Sequence, residues 1–95
     1  MTVVEAIKLT YNYAVECYGE NPKILEAYQN RDNYYFLYIW NEYNGEELNG
    51  PGLIGINKDN NEVFYVSSGD CGEVIYKSKK IPKKYYTHLI SQLNN

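Results

Sequence analysis

Ninety-five residues make one domain, 1–95, which buries roughly 60–65% of its unfolded surface and leaves no room for a second core. A hydrophobic share of 44% beside 22% charged residues excludes disorder. No run approaches the ~18 apolar residues of a membrane span, and an N-terminus with Glu5 and no basic start argues against a signal peptide, so a cytoplasmic protein is expected. The net charge of −3 is unevenly spread: residues 1–76 hold all twelve acids against Lys8, Lys23, Arg31 and Lys58, four less twelve or −8, while Lys77, Lys79, Lys80, Lys83 and Lys84 crowd one short stretch. An acidic body disfavours nucleic acid and suits a cationic protein partner.

Thr2 and Glu5 form a capping box that opens a helix. Val4, Ile7, Tyr11, Ala14, Val15 and Tyr18 recur at spacings of three and four and give that helix one apolar face, and Gly19 with Pro22 ends it. Lys23 to Gln29 reads as a strand, with Ile24, Glu26 and Tyr28 on one side and Leu25 and Ala27 on the other. Asn30-Arg31-Asp32-Asn33 is turn chemistry and folds it into a hairpin with Tyr34-Tyr35-Phe36-Leu37-Tyr38-Ile39-Trp40, the central strand. Alternation sends Tyr35, Leu37 and Ile39 to an ordinary core face and lines up Tyr34, Phe36, Tyr38 and Trp40 on the other. Either helices cover both faces, or the aromatic row lies on a partly open one that meets a partner or a second copy.

A long segment from Asn41 to Gly52 follows, rich in Gly, Asn and carboxylates. Leu53 to Asn57 and Glu62 to Ser68 then make a second hairpin around Lys58-Asp59-Asn60-Asn61, and Gly55 marks a bulge or a close approach by a neighbour. Gly69-Asp70-Cys71-Gly72 reads as a loop, Glu73 to Tyr76 as a short edge strand guarded by the lysines, and Pro82 as the start of a short C-terminal helix with Tyr86, Leu89, Ile90 and Leu93 on its apolar stripe. Tight turns between neighbours imply an antiparallel sheet. The expected fold class is α+β, two-layer, with the N-terminal helix packed on four or five antiparallel strands.

Chemistry-bearing patterns are few. Cys17 and Cys71 have no CxxC spacing and the chain has a single His88, so two free thiols are expected and no metal or cofactor. Ser68-Gly69-Asp70-Cys71-Gly72 resembles the nucleophile loops of chymotrypsin-like proteases, but there the general base precedes the nucleophile, whereas His88 follows it. Asn57, Asp59 and Asn61 mimic a calcium loop that has Glu62 where Gly is needed, and a hairpin turn explains them better. Glu42, Glu46 and Glu47, joined by Asp70 and Glu73, make a candidate acidic patch beside Trp40 and Tyr43.

The helix Ala6-Ile7-Lys8-Leu9, the strand Tyr35 to Trp40, and Asn49-Gly50-Pro51-Gly52-Leu53-Ile54-Gly55-Ile56-Asn57-Lys58 followed by Glu62-Val63 resemble small α+β immunity proteins of bacterial polymorphic toxin systems, over about residues 4–66. Asn61 stands where that hairpin has Gly. Cystatin-like and peptidase-propeptide-like domains share the layout. The resemblance implies a non-enzymatic protein that blocks a cognate toxin by steric occlusion. On that reading Tyr38, Trp40 and Tyr43 anchor the contact and Glu42, Glu46 and Glu47 steer a cationic toxin domain. The alternatives are a structural homodimer paired through its aromatic faces and a cysteine-dependent hydrolase using Cys71.

Overall fold

The computed structural model describes residues 1–19, 22–40 and 52–86, without the side chains of Tyr18 and Trp40. Helix α1 (Val3–Tyr18) begins where the Thr2 hydroxyl accepts a hydrogen bond from the Glu5 amide at 3.2 Å. It ends at Gly19, whose φ of 114° is closed to most side chains and whose amide donates to the Val15 carbonyl at 3.1 Å. Strands β1 (Pro22–Gln29) and β2 (Asn33–Trp40) form the first hairpin, where the Asn30 side chain accepts from the amides of Asp32 and Asn33.

Strands β3 (Gly52–Asn57) and β4 (Val63–Val66) form the second hairpin. Its turn is tied by Asn57, which accepts from the amides of Asp59 and Asn60, and by Asn60, which accepts from that of Glu62. Asn61 takes φ of 61°, the left-handed conformation a Gly would adopt there and one that Asn tolerates. The sheet is antiparallel throughout, in the order β4-β3-β2-β1-β5, with the two residues of β5 (Lys79–Lys80) on the outer side of β1. The fold is α+β, with a short second helix, and among the described residues no helix is long and apolar enough to cross a membrane.

The aromatic row of β2 is the principal core. Tyr34, Phe36 and Tyr38 pack with Ala6, Ile7 and Ala14 of α1 and with Ile54 and Ile56 of β3. Two alanines on the helix let its backbone lie close to large rings, which the apolar stripe alone did not disclose. Tyr38 was expected at the partner contact and is instead fully buried. Its hydroxyl lies 2.9 Å from the Thr10 hydroxyl, which donates to the Ala6 carbonyl at 2.9 Å, so its polar tip is satisfied inside the protein.

Two further expectations are corrected. A β-bulge at Leu25 breaks the alternation of β1: Ile24 pairs with Tyr38 and Ala27 with Phe36 on the α1 side, while Tyr28 pairs with Tyr35 on the opposite face. Without the extra residue Glu26 would point beneath α1. The segment read as loop and edge strand is helix α2 (Ser68–Lys77). The Ser67 carbonyl accepts from the amides of Asp70 and Cys71, Asp70 favours the positive end of the helix, and Cys71, Val74 and Ile75 supply an apolar stripe. These gains offset two glycines that cost about 1 kcal/mol each in a helix. The edge strand falls instead at the lysines of β5. Beyond it Pro82 leads into a single 3-10 turn over Lys83–Tyr85, and the rest of the expected C-terminal helix lies outside the described residues.

Candidate functional site

Helix α2 packs Cys71, Val74 and Ile75 against Tyr35, Leu53 and Val66, on the face of the sheet away from α1. Between its first two turns and the β2-β3-β4 surface lies an open cleft of about 410 Å³, lined by Tyr35, Phe64, Tyr65, Val66, Ser67, Asp70, Glu73 and Val74. Its floor follows from one small residue. A Cβ on Gly55 would sit 2.5 Å from Cζ of Phe64 and 3.0 Å from Cδ1 of Tyr35, so glycine is what lets the Phe64 ring lie across β3. The two rings meet edge to face, 6.1 Å apart at 85°. Tyr35 is fixed from its other end by the side-chain amide of Asn33, which donates to its hydroxyl at 2.9 Å.

The rim of the cleft is acidic. Asp70 accepts from the Ser67 hydroxyl through Oδ2 at 2.8 Å, and Glu73 pairs through Oε1 with Lys77 at 2.7 Å. Among the described residues Asp70 Oδ1 and Glu73 Oε2 have no hydrogen-bond partner, and neither Lys nor Arg lines the cleft. Asp70 and Glu73, placed in the candidate acidic patch by sequence, are therefore together. Trp40 closes β2 opposite Pro22, while Glu42, Tyr43, Glu46 and Glu47 lie outside the described residues. Tyr35, Phe64 and Tyr65 were not anticipated at a site; the one available signal was Gly55 inside an apolar strand.

Cys71 offers little as a nucleophile. Its thiol lies on the sheet-facing stripe of α2, 3.6 Å from the Val66 carbonyl it donates to, and burial, with Asp70 beside it, pushes its pKa up. Among the described residues no three His, Cys, Asp or Glu side chains converge as metal ligands.

Other polar clusters hold the fold together. Lys58 donates to the Asn30 carbonyl at 2.8 Å and to Gln29 Oε1 at 3.1 Å and stands 4.6 Å above the Tyr34 ring, which clasps the two hairpin turns. Glu26 accepts from the Tyr28 hydroxyl and pairs with Lys80 at 3.1 Å, so β5 is tied to β1 and the Glu26 carboxyl is held below its ordinary range, mainly by Tyr28. A second groove, of about 560 Å³, runs between the start of α1 and residues 81–85, and among the described residues no charged side chain lines it. Compared with known proteins, the chain matches no family model, no curated protein and no solved structure.

Proposed function

We propose that this chain is a non-enzymatic protein-binding module, an immunity protein that neutralises a cationic bacterial toxin in the cytoplasm by covering its working surface. The observation that carries the reading is the cleft between α2 and the sheet, where two carboxylates, each with one oxygen unengaged among the described residues, line the same space as aromatic rings. Aromatic anchors rimmed by charge are common at protein interfaces, and the balance of −8 over residues 1–76, four basic residues less twelve acids, adds long-range attraction for a cationic partner. Trp40, Glu42, Tyr43, Glu46 and Glu47 stay in the proposed contact, and Tyr38 leaves it because it is buried.

The test is co-expression with any cationic toxin domain whose gene neighbours this one, scored by growth and by a complex on gel filtration. Rescue with a stoichiometric complex is expected. Rescue without a complex, or a complex that leaves the toxin active, overturns the reading.

A further inference from the structure

We infer that the α2–β4 cleft receives an arginine side chain presented by the protein partner. The inference rests on the protein-binding reading and assigns it a place and a chemistry. Three features select the occupant. The wall is aromatic, from Tyr35 and Phe64, and ring faces attract cations. The rim carries Asp70 and Glu73, each with one oxygen engaged by a neighbour of its own helix end, Ser67 or Lys77, and the other oriented without a partner among the described residues. The contacts that hold those carboxylates are exposed and cheap to rearrange.

A guanidinium suits this combination better than an ammonium. It is planar, weakly hydrated, stacks on aromatic faces and forks its donors between carboxylate oxygens, whereas an ammonium is a compact, strongly hydrated point charge. The cleft volume of about 410 Å³ falls in the range of sites that bury a small group, and Tyr35 is held in place before binding by the amide of Asn33 while Gly55 leaves room for the Phe64 ring.

The probe is N-acetyl-arginine N-methylamide, titrated into the 15N-labelled chain and followed by amide shifts, with the lysine and norleucine analogues in parallel. Saturable shifts confined to Tyr35 and residues 64–74 are expected, with a Kd on the order of millimolar, because one side chain supplies few contacts. The lysine analogue binds more weakly and the norleucine analogue does not saturate. Asp70→Asn together with Glu73→Gln, shown to be folded by unchanged α1 amides, weakens arginine binding roughly tenfold or more. Shifts scattered over acids elsewhere, equal binding of the lysine analogue, or an unchanged Kd in the double variant overturn the inference.

The toxin complex separates this result from the broader reading. If the double variant weakens the complex as it weakens the probe, both stand. A complex that the double variant leaves intact overturns the cleft as the arginine site while protein binding stands. A saturable arginine site in a chain that forms no complex upholds the site and overturns the immunity reading.

Discussion

The seat of Phe64 on Gly55 allows a perturbation to be worked to a magnitude. In Gly55→Ala the new methyl would lie 2.5 Å from Cζ and 2.6 Å from Cε2 of Phe64, where ordinary contact begins at 3.4 Å, so the ring must retreat by about 1 Å. Tyr35 cannot give way in its place, because it is buried and held by Asn33. Overpacking of this kind costs roughly 1–3 kcal/mol. Alanine recovers ~0.5–1 kcal/mol of the backbone entropy that glycine loses in a strand, and a half-buried ring on an edge strand can swing outward, so a net loss of about 1 kcal/mol is expected. In a Phe64→Ala background the contact with Phe64 is gone and only the 3.0 Å approach to Tyr35 remains, so the same substitution becomes about neutral. Urea unfolding followed by far-UV circular dichroism on the four proteins gives the coupling, expected at about 1 kcal/mol at constant m-value. An equal effect of Gly55→Ala in both backgrounds would refute the reasoning.

Other outcomes follow from buried polar groups. Among the described residues the buried Tyr86 hydroxyl has no hydrogen-bond partner of good geometry, the Ala27 backbone being a polar neighbour, so Tyr86→Phe should raise stability by about 1 kcal/mol in the same urea assay; a loss would show that the Ala27 contact is a working bond. Tyr38→Phe removes one partner of the Thr10 pair and should cost about 1 kcal/mol, with no effect if Thr10 is satisfied by the Ala6 carbonyl alone. Burial raises the pKa of Tyr28 from 10.0 to about 12 and raises those of Tyr38 and Tyr86 as well. The folded state then keeps phenol protons that the unfolded chain releases, so stability is complete below about pH 10 and declines from there through about pH 12; a flat midpoint across that window contradicts it. Cys71, half-buried with a raised pKa, should react with iodoacetamide at pH 7 more slowly than exposed Cys17, whereas faster modification would revive the hydrolase alternative.

What the sequence disclosed was local chemistry. The Thr2 cap, the Gly19 stop and the Asn30 and Asn57 turns each depend on side chains within a few residues of the backbone they satisfy, and each stands where it was read. The antiparallel pairing of β1 with β2 and of β3 with β4 followed from those turns, whereas the strand order that sets β3 beside β2 did not. Which face of β2 receives α1 did not follow, because alternation defines two faces without ranking them. The decisive partners, Ala6 and Thr10, are small residues whose role appears only when Tyr38, 28 positions beyond Thr10, is brought against them. The bulge at Leu25 has no Gly or Pro to announce it. Helix α2 was hidden by Gly69 and Gly72, neither of which meets any close neighbour that would demand a glycine. Reading that helix as a loop separated Asp70 and Glu73 from the rings of Tyr35 and Phe64, which meet only when α2 folds over the sheet.

The central claim is that partner contact includes the α2–β4 cleft and is not centred on helix α1. Hydrogen–deuterium exchange of the chain alone and with its toxin tests it most directly, read peptide by peptide. Slowed exchange over residues 63–75, with α1 unchanged, is the predicted footprint. Protection concentrated on α1, or none over 63–75, would contradict the account.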